Sequence, residues 1–157
     1  MKKVRFKTEN KVQTAKLGEL LAKTIVSSPP VSLPVTIALI GELGSGKTTF
    51  AQGFAQGLGI HERILSPTFI LMRRHAFKGG KSKSNFQNFF HFDLYRLNSK
   101  RELKALGWKK VFLDRQAIIL IEWADRIKRF LPSKTLLIHF SHKKPDERVI
   151  TFSEQNF

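Results

Sequence analysis

The sequence of 157 residues contains no cysteine, and it has no apolar run near the roughly eighteen residues that a membrane-spanning helix requires. The absence of thiols excludes disulfide bonds, thiolate metal sites and a cysteine nucleophile. The five histidines are scattered without the pair spacing of a metal site, which leaves phosphate or carboxylate chemistry. The N-terminus lacks the apolar centre of a secretory signal, so we expect a cytoplasmic protein that makes no membrane contact.

Acidic residues are also scarce, with 12 of them against 28 lysines and arginines, and the net charge is +16. The middle third is the most basic, since residues 61–120 carry 13 basic and 4 acidic side chains. Such a surface can hold a nucleic-acid backbone or an acidic partner protein. A lysine-rich composition with a solvated surface explains the same charge, so the charge does not choose between tRNA, a protein partner and composition alone.

Hydrophobic patterning predicts one folded domain over residues 1–157, with helices and strands in alternation. An amphipathic helix is predicted over residues 14–25, a buried strand over 35–40 and a second helix from 49 to about 58. The remaining predicted elements are a short strand ending near residue 75, an aromatic strand over 86–92, a short helix capped by Ser99 and Glu102, a buried strand over 117–121, a helix over 125–131, and two strands over 134–140 and 148–152.

The segment from Gly41 to Thr48 fits the pattern G-x-x-x-x-G-K-[ST], between a predicted strand and a predicted helix. Its glycines let several backbone N–H groups point at one phosphate, and the following helix adds its own unpaired N–H groups. Lys47 can bridge the β- and γ-phosphates, and the Thr48 hydroxyl is placed to bind Mg²⁺. The predicted nucleotide-binding residues are Glu42, Leu43, Gly44, Ser45, Gly46, Lys47, Thr48 and Thr49. We therefore predict an α/β fold, a single P-loop NTPase-type domain with a central mixed sheet flanked by helices.

Magnesium also needs a carboxylate beside Thr48, and two acidic residues compete for that role. Asp93 follows the aromatic strand, and Glu122 follows the apolar strand over 117–121. Both should emerge where parallel strands end, which is where nucleotide-binding folds place their ligands. For each carboxylate, a structural pairing with one of the many arginines is the alternative.

Other elements narrow the class of nucleotide-binding protein. No N-K-x-D element follows the loop, which disfavours GTP specificity. A small-molecule kinase is the enzymatic alternative because an arginine such as Arg96 could clamp a phosphoryl group, although no D-x-D segment follows the loop. A nucleotide-gated RNA-binding module is a further alternative, supported by the charge and by aromatic residues expected at the surface, such as Phe86 and Tyr95.

Four segments in this order resemble one family, the TsaE family of bacterial P-loop ATPases of tRNA threonylcarbamoyladenosine biosynthesis. They are GELGSGKTT at 41–49, SPTF at 66–69, HFDLYRL at 91–97 and IEW at 121–123. The resemblance implies weak hydrolysis of ATP with Mg²⁺. It also implies partners among the subunits of the tRNA threonylcarbamoyltransferase complex, with direct contact to tRNA left open.

The resemblance also implies roles for the residues of the loop and of the two strand ends. Lys47, Asp93 and Glu122 would form the catalytic group. Glu122 would share the magnesium with Thr48, while Asp93 would orient the attacking water or sense the switch. These two roles could be exchanged between the carboxylates.

Further residues resemble the parts of the family that respond to the nucleotide. Ser66 and Thr68 match a first switch segment, which would report the γ-phosphate. His91 accompanies the acidic site at Asp93, and Trp123 accompanies Glu122, although a large aromatic residue near a strand end is also typical of the core. The sequence departs from the family at 124–125, where alanine and aspartate stand in place of proline and glutamate.

Overall fold

The computed structural model describes residues 3–29, 32–61, 71–77 and 85–154. These residues form a seven-stranded sheet with helices against both of its faces. In chain order the elements are β1 (Val4–Thr8), α1 (Lys11–Ser27), β2 (Val35–Ile40), α2 (Lys47–Gly57), β3 (Met72–Ala76), β4 (Asn88–Asp93), α3 (Lys100–Ala105), α4 (Trp108–Val111), β5 (Ala117–Glu122), a 3₁₀ helix (Ala124–Phe130), β6 (Leu136–His142) and β7 (Arg148–Glu154). The predicted α/β fold with a central mixed sheet is confirmed.

The four central strands of the sheet run parallel, and the outer strands run antiparallel to their neighbours. The strand order is β1-β7-β6-β2-β5-β4-β3, with parallel pairing of β2 to β5 and β6, and of β4 to β5. Every residue of β5 is buried, which explains the continuous apolar run that predicted this strand. Because parallel strands end at the same edge, the segments after β2, β4 and β5 meet there.

Helices α1 and α2 cover one face of the sheet and approach each other backbone to backbone. A Cβ atom on Gly18 would overlap the carbonyl oxygen of Phe50, and one on Gly53 would overlap that of Ala15. Glycine is therefore required where the two helices touch. This contact fixes α2, and with it the loop that precedes α2, against the long helix α1. No helix in the described part of the chain is long and apolar enough to cross a bilayer.

Helices α3 and α4 and the 3₁₀ helix cover the opposite face. Leu103, Val111 and Ile127, one from each helix, share a hydrophobic cluster with alternate residues of the central strands. The Ser99 hydroxyl accepts a hydrogen bond from the Glu102 backbone N–H at 3.3 Å, so the predicted cap at the start of α3 is present. These helices are much shorter than α1.

The structure differs from the sequence prediction at four places. Strand β1 was not predicted because four of its five residues are exposed at the sheet edge, and α4 was not predicted because it has only four residues. The helix predicted over 125–131 is a 3₁₀ helix, interrupted at Ile127, whose φ of −124° is not helical. Phe86 was expected at the surface but is only 5% exposed, because it packs in the core cluster beneath α2; Tyr95 is 40% exposed, as expected.

Candidate nucleotide-binding site

The glycine-rich loop joins the end of β2 to the start of α2. Gly44 and Gly46 have φ angles of +74° and +102°, a left-handed conformation that glycine adopts without strain. Gly41 is needed for a different reason, because a Cβ there would lie 2.6 Å from the Phe140 carbonyl oxygen. Gly46 is the N-cap of α2 and brings no capping side chain, so the first N–H groups of α2 are open to an anion.

The loop residues divide into an exposed tip and a buried base. Glu42, Leu43 and Gly44 are exposed, and Leu43 is exposed over 71% of its surface. Ser45 is fully buried and Lys47 is only 4% exposed. Thr48 and Thr49 are half-buried in the first turn of α2. The loop backbone therefore faces solvent above a base made of polar side chains.

The Lys47 side chain folds back into its own loop. Its Nζ donates hydrogen bonds to the carbonyl oxygens of Gly41 at 2.7 Å and Glu42 at 2.8 Å. The same nitrogen lies 3.8 Å from the centre of the Trp123 ring, a close cation–π contact. Lys47 is thus held by two carbonyls and an aromatic face.

The charge state of Lys47 reflects this enclosed position. Burial lowers the pKa of its ammonium, while the carboxylates of Glu122, Asp125 and Asp93 act in the opposite direction. An anion bound beside Lys47 would favour its charged form in the same way as these carboxylates do. The phosphate tail of a nucleotide is an anion of this kind.

Three side chains from α2, β5 and β4 form a continuous hydrogen-bonded chain at the base of the loop. The Thr48 hydroxyl donates to Glu122 Oε2 at 2.7 Å, and His91 Nε2 lies 2.8 Å from Glu122 Oε1. The histidine tautomer determines which of these two groups donates in the second contact. Glu122 and His91 are 1% and 0% exposed, so the orientation of the carboxylate is fixed. The hydroxyl and carboxylate oxygens that a hard cation prefers lie side by side here.

Asp93 lies at the end of β4, directly beside Glu122 in the parallel register. Its Oδ1 accepts a hydrogen bond from the Tyr95 backbone N–H at 3.0 Å, which holds the turn that follows β4. Asp93 is 3% exposed. Both carboxylates therefore lie at the strand ends where the sequence predicted them. Over the described residues, no group of three or more His, Cys, Asp or Glu side chains is suited to hold a metal by itself.

Trp123 adopts a left-handed backbone conformation, with φ of 58°, at the junction between β5 and the 3₁₀ helix. Its ring contacts Tyr95 at 5.0 Å between centroids and supports Lys47 from the other side of the site. Trp123 thus joins the end of β5, the turn after β4 and the loop lysine. Ser66 and Thr68, the predicted switch residues, lie outside the described residues.

Arg148, at the start of β7, is a site residue that the sequence did not indicate. Its Nη2 lies 3.5 Å from the Gly44 carbonyl oxygen, and its Nη1 donates to the Pro145 carbonyl at 2.7 Å. It lines a crevice of about 40 Å³ beside the loop, together with residues of α1 and α2 such as Thr14 and Thr49. Arg148 lies near the loop because of the strand order in the sheet, and no local sequence pattern predicts that order.

The fold and the loop sequence define the general class, an α/β protein with a glycine-rich loop of the pattern G-x-x-x-x-G-K-[ST] between its central strand and the following helix. A family model described as "Threonylcarbamoyl adenosine biosynthesis protein TsaE" matches residues 8–150. The chain belongs to the TsaE family.

Individual relatives agree with this assignment. The chain is 34% identical to a tRNA threonylcarbamoyladenosine biosynthesis protein TsaE of Bacillus subtilis, over 98% of this chain and 87% of that protein. It is 30% identical to the protein of the same name from Haemophilus influenzae, over 78% and 72% of the two chains. A crystal structure of Bacillus subtilis YdiB superposes with a TM-score of 0.73 at 30% identity, covering 99% of this chain and 87% of that one.

Proposed function

We propose that the protein binds and hydrolyses ATP in support of the tRNA threonylcarbamoyladenosine modification complex. The observation that carries this proposal is the contact between Thr48 and Glu122, which unites the first turn of the P-loop helix with the carboxylate at the end of the neighbouring strand. P-loop NTPases hold Mg²⁺ with the Ser/Thr hydroxyl of the loop and an acidic residue, usually aspartate. The family assignment supports the biological setting of the reaction.

In this proposal the loop binds the phosphate tail of ATP through backbone N–H groups. The open N-terminus of α2 adds N–H donors and the positive end of its dipole. Lys47 exchanges the carbonyls of Gly41 and Glu42 for phosphate oxygens, so its charge stabilises the developing negative charge of the transition state. This exchange requires only the Lys47 side chain to move, and the Lys47 backbone can stay in place.

The residues at the strand ends fit a magnesium ion in chemistry and in position. Thr48 and Glu122 would hold the ion, which would neutralise phosphate charge when bound. His91 positions the Glu122 carboxylate from behind through the 2.8 Å contact. We assign Asp93, one strand further along the same edge, to orienting the attacking water.

The remaining parts of the proposal concern the nucleoside and the partners. Arg148 and the crevice beside it lie at the outer side of the loop, where the ribose and base would continue from the phosphates. Ser66 and Thr68 would respond to the γ-phosphate as a switch segment. The partners would be subunits of the tRNA threonylcarbamoyltransferase complex, in agreement with the cytoplasmic location expected from the sequence.

The test compares nucleotide binding and phosphate release in the wild type, Lys47→Ala, Glu122→Gln and the control Lys23→Ala. Lys23 is an exposed cation of α1 that pairs with Glu19, so its removal changes the charge equally but away from the loop. We expect Lys47→Ala to reduce turnover by roughly a hundredfold or more and Glu122→Gln to abolish the magnesium dependence. Lys23→Ala should retain both activities.

Calorimetry with ATP and Mg²⁺ complements the rate, because turnover of the isolated chain should be slow. Retained turnover in Lys47→Ala, or unchanged magnesium dependence in Glu122→Gln, would contradict the site. A phosphorylated small metabolite in place of free phosphate would identify a kinase instead. Recovery of the modification-complex subunits in only one nucleotide state would establish the coupling to the partners.

A further inference from the structure

The outer surface of α3, α4 and the 3₁₀ helix carries a set of exposed cations on one face of the sheet. We define this basic face by Arg101, Lys104, Lys109, Lys110, Lys128 and Arg129. We propose that the basic face binds the phosphate backbone of folded RNA. The three helices share one hydrophobic cluster against the sheet, so their polar sides point outward together.

The positive charge of this region is not balanced by nearby acids. Residues 100–134 contain 10 basic and 4 acidic residues, a net charge of +6. Of the four acids, Glu122 is buried in the nucleotide site. Glu102 and Asp114 are half-buried and accept hydrogen bonds from neighbouring segments of the chain. Asp125 is the exposed acid of this stretch, so the cations outnumber the accessible carboxylates severalfold.

Several lysines elsewhere on the protein surface are paired with glutamates. On α1, Lys16 and Lys23 both pair with Glu19, and near β1 and the β6–β7 turn Lys7 and Lys144 both pair with Glu147. Within the described ranges, no cation of the basic face lies within 4.0 Å of a carboxylate. Unpaired like charges on short helices repel one another, and a bound polyanion neutralises them. The counterions that the polyanion releases further favour binding.

Aromatic rings among the cations favour RNA over an acidic protein. Phe130 is 37% exposed and lies 5.5 Å from Trp108, whose ring is flanked by the Lys109 ammonium at 5.9 Å. At the edge nearest the nucleotide site, Tyr95 is 40% exposed and contacts the Arg126 guanidinium at 6.0 Å. Cations with ring faces between them suit phosphates and stacked bases together. The surface by itself does not distinguish RNA from DNA. The choice of RNA rests on the proposed role in tRNA modification.

The experiment measures binding of fluorescently labelled unfractionated tRNA as a function of salt concentration. The test variant is Lys109→Gln/Lys110→Gln on α4, and the matched control is Lys16→Gln/Lys23→Gln on α1, which removes the same charge from the opposite face. Each lost phosphate contact lowers the slope of log K against log salt by about one, so the test variant should lose about two and bind roughly tenfold more weakly. The control should stay within about twofold of wild type.

Several outcomes would overturn the inference. Equal weakening in both variants would show that net charge alone drives binding, and the absence of tRNA binding by wild type would refute the surface directly. Binding of polyglutamate as tightly as tRNA, with the same loss in the α4 variant, would show that the face is built for an acidic protein. Thermal unfolding of both variants verifies that each is folded.

Measurements on the wild type and Lys47→Ala distinguish RNA binding by the basic face from the proposed ATPase activity. Lys47→Ala should lose nucleotide binding and retain tRNA binding, because Lys47 is buried in the loop and does not belong to the basic face. A wild-type protein that binds tRNA through the basic face but releases no phosphate from ATP would refute the ATPase alone. Duplex DNA bound as tightly as tRNA would overturn the assignment to RNA.

Discussion

The helices on the two faces of the sheet differ in how they pack and in how their surface charges are paired. On the face of α1 and α2, helices meet backbone to backbone through glycines, and Lys16 and Lys23 of α1 are paired with Glu19. On the face of α3, α4 and the 3₁₀ helix, short helices pack through large side chains and expose unpaired cations. The first face holds the glycine-rich loop in place, and the second carries the basic face that we propose binds RNA. Close backbone packing and unpaired surface charge thus lie on different sides of one sheet.

The largest difference between the faces should follow from adding one methyl group. In Gly53→Ala the new Cβ overlaps the Ala15 carbonyl, so α1 and α2 must separate, and we expect a loss of about 3 kcal/mol in the free energy of unfolding. Gly107→Ala, between α3 and α4, meets no atom within 4 Å and strains only its φ of +64°, at a cost of about 1 kcal/mol. Urea denaturation measures both, and equal losses would show that the faces are packed alike.

Helix caps give a smaller contrast. The Asn10 side chain accepts a hydrogen bond from the Gln13 N–H at 2.9 Å and caps the 17-residue helix α1, so Asn10→Ala should lower global stability by about 1 kcal/mol. Ser99 caps the six-residue α3, and Ser99→Ala should mainly speed local amide exchange in that helix. Hydrogen exchange distinguishes the two patterns. A global loss from Ser99→Ala that matched the Asn10→Ala loss would remove the contrast.

The smallest expected effect is a change in the pKa of His139, which responds to the positive charge on the face of α3, α4 and the 3₁₀ helix. Desolvation lowers the pKa of His139 on β6, and the positive charges of Lys128 and Lys3 lower it further. As the pH falls through about 6.5, the unfolded chain takes up this proton first, so His139 makes the protein less stable in acid and has no such effect at higher pH. In an NMR titration, Lys128→Gln should raise the pKa of His139, while Lys16→Gln should leave it unchanged. An unchanged pKa of His139 in Lys128→Gln would mean that solvent screens the charge of Lys128 from His139.

The parts of the site that could be predicted from the sequence are those fixed by local pattern. A buried strand, a glycine loop and a helix follow one another along the chain, so β2, the loop and α2 were predicted close to their observed bounds. Asp93 and Glu122 were placed correctly at strand ends because each follows an apolar run directly. The two carboxylates are neighbours because β4 and β5 pair in parallel, as expected for such strands.

The missed features depend on contacts between distant parts of the chain. Arg148 reaches the Gly44 carbonyl across 104 residues because β6 lies beside β2 and brings β7 with it. The position of Lys47 over Trp123 depends on the left-handed turn after β5, which no propensity favours at tryptophan. Strand β1 has only two apolar residues, Val4 and Phe6, and it pairs with β7 from the other end of the chain, so its place in the sheet depends on a distant segment.

The folded-back position of Lys47 has a consequence for the loop backbone. The carbonyl oxygens of Gly41 and Glu42 converge on one ammonium, which keeps two partial negative charges from facing each other across the bend. An incoming anion that attracts this ammonium deprives both oxygens of their donor, and they must turn toward water or toward new N–H groups. The same movement takes the charge off the Trp123 ring, which rests against Tyr95. The flexible Lys47 side chain therefore couples the conformation of the loop backbone to the contact between the Trp123 and Tyr95 rings.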